Sequence, residues 1–397
     1  MKIAYITPYD AHDPNAWSGA GYQIPRALAS AGAEIVYIGG LRKQPDAPAL
    51  ARSLCARLLG NVHQLEREPS VVRAYSEQAS RKLRELDVDL VLSPGAIAVT
   101  YVKTEVPKII WTDTSFGGIV DYYPEFEKMT TRNRRDGDIL ERISLETSDM
   151  VVFSSDWAAK RAVSLYRLDS SKVRVIPFGS NFSSGLEAST VRCLSVDRLR
   201  GDEIRLLFVG VAWERKNGEF ALAVTEKLRQ LGIKAFIDII GCRPGARREW
   251  AMEYGFLSRD NEQQSRTIQA SFARATFLIH PAVAECNANV FSEACSFGVP
   301  ILANKTGGTP TSVIPGVNGN LFALDDPPEV WADYIVNTMS EREKYLNLCL
   351  GAFEQYSSRL NWSAAGSTML DAMERVVSRY RAHAREAPAM GVVPSMG

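Results

Sequence analysis

The sequence has no surplus of either charge. Its 397 residues carry 46 Lys plus Arg against 46 Asp plus Glu, a formal net charge of zero. Non-specific binding to nucleic acid needs a clustered basic surface, so the balance argues against nucleic acid as a partner. No apolar run reaches the roughly 18 residues that mark a membrane-crossing helix, so no transmembrane segment is expected. Histidine is scarce, with four in the chain, and the six cysteines are scattered without any Cys-x-x-Cys pair. That pattern provides neither a zinc site nor a disulfide framework and reads as reduced thiols. The opening MKIAYITPYD lacks a long apolar core and a small-residue cleavage site, so it reads as a first strand rather than an export signal. The expected compartment is therefore the cytoplasm, with peripheral contact at the inner membrane face left open. A repeat of fixed period is also lacking. What is present is an ordinary globular mix, 46% apolar and 23% charged, in a chain long enough for about two domains.

Short apolar runs alternate with helical patterns. Strands are expected at 2–7, 34–38, 88–92, 108–111, 149–153 and 173–176, and helices at 22–31, 68–86, 137–147 and 156–166. Residues 181–203 are polar and read as a linker. The alternation then restarts, with strands at 204–209, 235–240, 276–279 and 299–302 and helices at 217–231, 262–273 and 289–297. Three helices follow at 328–340, 342–357 and 362–384, and 385–397 reads as a loose tail. Such alternation implies α/β architecture with two Rossmann-like, doubly wound parallel sheets, and it places ligands at the carboxyl ends of the strands in the cleft between domains.

The densest chemistry lies at 280–308, HPAVAECNANVFSEACSFGVPILANKTGG. Glu285 falls in a loop after a strand, and Glu293 follows eight residues later on the first turns of a helix. A helix amino terminus is electropositive and presents free amides, which suits a diphosphate. Two carboxylates beside it can accept hydrogen bonds from sugar and ribose hydroxyls. The pair alone is weak, because glutamate is a common surface residue; FGVPILANKTGG after it adds the weight.

This ExxxxxxxE segment, its small-residue helix, its GVP turn and its Gly-Gly exit resemble the donor site of retaining family-4 glycosyltransferases of the GT-B fold. Four further segments resemble that family: AWSGAG at 16–21, RVIPFG at 174–179, FVGVAWERKNG at 208–218 and GFLS at 255–258. The resemblance implies a nucleotide-sugar donor domain at 200–361 and an acceptor domain at 1–180, with the last helix packing back on the first domain. It implies that Lys216 neutralises the donor diphosphate. Arg215 becomes the second cation, because Val211 stands where many relatives carry Arg. Glu285 would lie near the donor sugar and Glu293 would bind the ribose. Leu257 and Ser258 would line the base, and Gly19, Ala20 and Gly21 would contact the donor phosphate or the acceptor. Cys286, Asn287, Ala288, Asn289 and Val290 fill the stretch between the glutamates, where Asn-Ala-Asn replaces the family's usual Phe-Gly-Ile or Phe-Gly-Leu. Gly307, Gly308 and Thr309 match a loop beside sugar and phosphate. Asp113 sits where relatives often hold His or Asp near the reacting sugar. His12, Trp17 and Ser18 are acceptor-side candidates.

The activity so implied is transfer of a sugar from a nucleotide diphosphate to an acceptor hydroxyl with retention, UDP-sugar first and GDP-mannose second. The acceptor is a sugar, a lipid or a small molecule, no cofactor or metal is called for, and the oligomeric state is not specified. The strings Asp87-Val88-Asp89 and Asp136-Gly137-Asp138 resemble a metal motif of another glycosyltransferase fold, but they lie away from the donor segments. Aromatic residues Trp17, Tyr22, Phe116, Tyr122, Tyr123 and Trp213 are expected in cleft-facing loops. The basic stretch 67–84 reads as a solvated helix. Two alternatives remain: a nucleotide-sugar epimerase on the same architecture, and a non-catalytic nucleotide-sugar-binding subunit.

Overall fold

Runs such as Ile3 to Ile6 and Leu90 to Leu92 are fully buried, so the strands that carry them sit in sheets covered by helices on both faces. The computed structural model describes residues 1–14, 16–182, 184–245 and 248–386. In the first domain the elements are β1 (Lys2–Ile6), α1 (Ala20–Ser30), β2 (Glu34–Ile38), α2 (Ala47–Leu58), α3 (Pro69–Leu83), β3 (Leu90–Ser93), β4 (Lys108–Thr112), α4 (Phe116–Ile119), α5 (Thr131–Glu146), β5 (Met150–Phe153), α6 (Asp156–Tyr166) and β6 (Val173–Val175). Helix α7 (Ala188–Arg200) follows. The second domain continues with β7 (Ile204–Val209), α8 (Gly218–Gln230), β8 (Ala235–Ile240), β9 (Ala251–Gly255), α9 (Glu262–Arg274), β10 (Phe277–His280), α10 (Asn289–Ser296), β11 (Ile301–Asn304), α11 (Thr309–Ser312), β12 (Gly319–Phe322), α12 (Pro328–Ser340) and α13 (Arg342–Ser358). The last helix is α14 (Trp362–Glu386).

Each domain holds one six-stranded parallel sheet, in the orders β2-β1-β3-β4-β5-β6 and β12-β11-β10-β7-β8-β9. The strand order reverses between β1 and β3 in the first sheet and between β7 and β10 in the second. Loops leaving the carboxyl ends of strands at such a reversal diverge to opposite faces and leave a crevice. The loops after β7 and β10 carry 211–217 and 281–288, so the fold itself brings Arg215 and Lys216 to Glu285.

The polar stretch 181–203, expected as a linker, is a helix over most of its length. Its inward side is only Val191, Ser195 and Arg198, too sparse an apolar pattern to declare itself. Arg198 carries the packing instead. Its guanidinium donates to the carbonyls of Ala273, Gly298 and Phe297 at 3.0, 2.9 and 3.0 Å, and so caps the carboxyl ends of α9 and α10. The second domain therefore starts with α7 rather than near 200. Strands β9 and β12 and helix α2 are further elements absent from the sequence reading. Of the tail expected at 385–397, residues 385 and 386 belong to α14, and the rest lies outside the described residues.

Helix α14 returns to the first domain. Met369, Met373, Val376 and Val377 join Ile3, Tyr5, Leu28 and Trp111 in one core. The chain thus crosses between domains twice, and the two crossings touch: a Cβ on Gly179 would lie 2.2 Å from the backbone nitrogen of Trp362. Met369→Ala removes a fully buried side chain from this shared core and should cost about 2–5 kcal/mol of stability. Urea unfolding followed by tryptophan fluorescence reads the loss, and a change below about 1 kcal/mol would show that α14 is not part of the first domain's core.

Candidate active site at the crevice between the domains

Lys216 and Arg215 come from the turn between β7 and α8. Asn217 adopts a left-handed backbone (φ 55°) at the amino end of α8, which directs the two preceding side chains back over the strand end. The Lys216 stem crosses Gly210 so closely that a Cβ there would lie 2.2 Å from Cδ. On the other side of the reversal, β10 ends in His280 and the following loop presents Glu285, both buried. One carboxylate oxygen, Glu285 Oε2, is approached by His280 Nε2 at 3.1 Å, Lys216 Nζ at 3.3 Å and Arg215 Nη1 at 3.4 Å. Arg215 Nη1 also donates to the Ala284 carbonyl at 2.7 Å. Burial alone would raise the Glu285 pKa. Lys216, the His280 hydrogen bond and Arg215 outweigh it and hold the carboxyl well below the usual range. Glu285 is therefore ionised and is no proton donor near neutrality. His280 is pushed down to about 4, by burial first and Lys216 next, so it is neutral.

The first domain closes over this cluster with two adjacent tyrosines from the loop after α4. Tyr122 Oη accepts from the Glu285 amide at 3.0 Å and bonds Thr306 Oγ1 at 2.7 Å. Tyr123 Oη accepts from the Cys286 amide at 3.0 Å and lies 3.4 Å from Glu285 Oε1. The Arg215 guanidinium stacks 4.5 Å from the Tyr123 ring centre, a cation–π contact. Of the six aromatics expected at the cleft, these two are brought to the site. Phe116 is buried beneath Arg67, Trp213 packs on Phe208, Trp17 packs on Phe178, and Tyr22 lies under Arg26.

The glycines at 307 and 308 fit because nothing larger can. A Cβ on Gly307 would sit 2.2 Å from the Glu285 carbonyl oxygen, and one on Gly308 1.9 Å from that of Cys286. The Gly308 amide donates to the Glu285 carbonyl at 2.8 Å. Thr309 turns its hydroxyl back to the Asn304 and Thr306 carbonyls, so it shapes the loop.

Glu293, on α10, is buried. Arg259 meets Oε1 at 2.6 Å, while Oε2 has no partner among the described residues. Burial raises its pKa against the pull of Arg259. A buried, unpaired carboxylate oxygen is what an incoming hydroxyl donor would satisfy. Arg259 follows directly on Leu257 and Ser258, whose own backbone is tied to Gln264 through the Ser258 amide. Asn287 Nδ2 donates to Asn289 Oδ1 at 2.9 Å, and Asn289 Nδ2 reaches the Ser18 carbonyl across the crevice at 3.3 Å. The Asn-Ala-Asn stretch is thus an interdomain contact. Ala288 and Val290, beside it, are buried in the second domain's core.

The amino-terminal loop is strained. Trp17 and Ser18 are left-handed (φ 50° and 54°), and Gly19 continues at φ 88°. Ala20 and Gly21 open α1 and are buried, with Tyr9 against Gly21. Asp113, at the end of β4, binds its own turn through the Thr114 amide at 2.8 Å. Burial raises its pKa to about 6, with Glu285 adding to the rise. His12 does not join the site: it is exposed, and its ring lies tilted against that of Tyr37, with centroids 4.4 Å apart. The sequence places Tyr122 and Tyr123 in cleft-facing loops and His280 at a strand end, as a structural or cleft-lining residue, but shows none of their partners, and it gives no signal for Arg259.

Two family models match successive parts of the chain. "Glycosyltransferase Family 4" matches residues 22–183 and "Glycosyl transferases group 1" matches 203–341. A D-inositol 3-phosphate glycosyltransferase from Nocardioides sp. is 28% identical over 269 residues, which are 61% of this chain and 56% of that protein. The match thus spans little more than half the length of this curated relative. Sucrose-phosphate synthase from Thermosynechococcus elongatus shares the fold, with a TM-score of 0.69 at 16% identity over 96% of this chain and 100% of that one. Anabaena HepE, solved in complex with UDP and glucose, does so with a TM-score of 0.61 at 15% identity over 94% and 100%. Among the described residues no group of three or more His, Cys, Asp or Glu could hold a metal ion, and no helix is long and apolar enough to cross a membrane.

The neutral His280 makes a pH prediction. Its folded pKa of about 4 lies below the 6.5 of the free side chain. The unfolded chain therefore binds a proton that the folded one refuses between these values, and stability falls as pH drops through that window. His280→Gln keeps an amide donor toward Glu285 and should lose about 2 kcal/mol less than the parent between pH 7 and pH 5. Urea titrations at both values measure this, and equal losses in the two proteins would refute a buried neutral His280.

Proposed function

We propose that this chain, a family-4-type glycosyltransferase of the GT-B fold, moves a sugar from a nucleoside-diphosphate donor to an acceptor hydroxyl with retention of configuration. The observation that carries this reading is the Lys216–Arg215–Glu285 cluster at the reversal point of the second sheet. Two cations are held in place by one ionised carboxylate, beside a helix amino terminus. That arrangement suits the negative charge that develops on a departing diphosphate. The unpaired Glu293 oxygen supports ribose recognition on α10. A UDP-sugar is the preferred donor, supported by the UDP complexes of the HepE neighbour, and GDP-mannose is the next.

In the proposed reaction the bond between the anomeric carbon and the diphosphate oxygen breaks with both electrons leaving on the diphosphate. The acceptor oxygen bonds to the same face of that carbon, and its proton passes to a diphosphate oxygen. Lys216 and Arg215 stabilise the leaving group. Ionised Glu285 faces the positive charge that develops on the sugar ring. Asp113, across the crevice, orients the acceptor hydroxyl. The domain contact made by Tyr122, Tyr123 and Asn289 excludes water and limits hydrolysis of the donor.

A thermal-shift panel of UDP, UDP-glucose, GDP and GDP-mannose tests the donor class, because a ligand of the native state raises the melting temperature by mass action. Lys216→Ala should lower kcat/KM for transfer about 10²- to 10³-fold, and retention of full activity would overturn the assignment. Tyr123→Phe removes the oxygen that now accepts from the Cys286 amide and frees that amide for a phosphate. Nucleotide binding should then tighten by up to about tenfold, ~1.4 kcal/mol, in calorimetry. Weaker binding would mean that Tyr123 belongs to the occupied site.

A further inference from the structure

Helix α14 leaves a groove along the open edge of the first sheet. Strand β6 pairs with β5 alone, so its other side is an edge. Beside this edge, between β6 and α14, lies a cavity of about 400 Å³. Met150, Ile176 and Ala372 give it an apolar lining, and Arg174, Arg375 and Arg379 border it as well. Among the described residues no carboxylate lines it. None of its lining residues belongs to the crevice between the domains.

Three guanidiniums around one cavity repel one another. A folded chain ordinarily offsets such charge with carboxylates, as Arg381 on the same helix does with Asp89. Among the described residues none of the three cavity arginines has a carboxylate partner. Asp371 and Glu374 line a wider neighbouring cavity of about 720 Å³, which the same arginines border, but they pair with none of them. Backbone holds two of the guanidiniums instead. Arg174 Nη1 donates to the Ser171 and Val173 carbonyls at 2.8 and 2.7 Å, and Arg379 Nε donates to the Arg375 carbonyl at 3.3 Å. Arg375 and Arg379 stand four residues apart, in one row along α14. The arrangement is a set of positioned, unneutralised cations beside an apolar wall.

We propose that this cavity binds a small phosphomonoester, with its phosphate on Arg174, Arg375 and Arg379 and its carbon skeleton against Met150, Ile176 and Ala372. A phosphomonoester brings about two negative charges and three strong acceptor oxygens, which suits three guanidiniums. A carboxylate brings one charge and two oxygens. The planar fork of arginine also meets phosphate oxygens in pairs. The volume falls within the roughly 300–1,000 Å³ of small-molecule sites and suits one sugar phosphate or one mononucleotide. Charged side chains can also serve only to keep an edge strand from pairing with another chain. Arg174 suffices for that, since it already covers the Ser171 and Val173 carbonyls. Arg375 and Arg379 lie on the helix, and guarding the edge does not call for them.

The test is calorimetry on the full chain with glucose 6-phosphate, AMP, inorganic phosphate and gluconate. The first two tell a sugar phosphate from a nucleotide, and at least one should bind with a Kd of about 1 mM or tighter. Inorganic phosphate, which lacks the skeleton, should bind more weakly, and gluconate, a carboxylate on a sugar skeleton, should give no heat of binding. Arg375→Gln with Arg379→Gln, both at exposed positions, should weaken the ester at least about tenfold. The melting temperature without ligand and the affinity for UDP-glucose, which has no terminal phosphate, should stay as in the parent. Lys216→Ala should leave the ester affinity unchanged, which separates this cavity from the crevice. The proposal is overturned if neither ester binds, if gluconate or inorganic phosphate binds as tightly as the esters, if the double variant binds as the parent does, or if Lys216→Ala abolishes binding. If neither ester binds and the double variant self-associates in light scattering, the arginines guard the sheet edge instead.

Discussion

One buried carboxylate, Glu285, organises the crevice. Its Oε2 gathers His280, Lys216 and Arg215 from two strand ends, and its backbone supports the rest. The Glu285 amide meets Tyr122 from the other domain, and its carbonyl receives the Gly308 amide. A buried ionised group is costly unless surrounded by compensating charge and hydrogen bonds, so the loop after β10, the turn after β7 and the Gly307–Gly308 turn have to fit one another. Change any one, and the carboxylate loses a partner or the backbone loses its room.

The same economy explains how a chain of zero net charge can suit an anionic ligand. The relevant cations are few and local: Lys216 and Arg215 on Glu285, and Arg259 on Glu293. Each is fixed by a carboxylate, so little side-chain freedom is lost when a phosphate or hydroxyl arrives. The first domain contributes two hydroxyls and the Ser18 carbonyl, which accepts from the Asn289 side chain of the second domain, and these tie the halves together without adding charge.

Much of this was legible in the sequence where a signal was local. The alternation of apolar runs gave both sheets, and Glu285 and Glu293 stood out by their place after a strand and at a helix start, while Arg215 and Lys216 stood out through the family resemblance of 208–218. What was not legible depends on partners distant in the chain. Tyr122 and Tyr123 look like loop aromatics until Glu285 and Cys286, more than 160 residues away, are set against them. Helix α7 hid because its anchor is an arginine on carbonyls rather than an apolar stripe. Strand β12, Gly-Asn-Leu-Phe at a sheet edge, has no alternation to detect. His12 looked plausible because it precedes the Gly-rich loop, yet the chain carries it to Tyr37 instead.

The contact between the two domain crossings has a mechanical consequence. Two halves joined by widely separated tethers are confined to swing about the line between them. Here Gly179 lies against Asn361 and Trp362, so both tethers pass through one spot, which works as a pivot rather than as a hinge line. Opening and closing can then take more than one direction, and the width of the gap is set at a point with room for a hydrogen and nothing more. A methyl group placed there would act as a wedge at the fulcrum, where a small displacement is magnified by the full length of each domain.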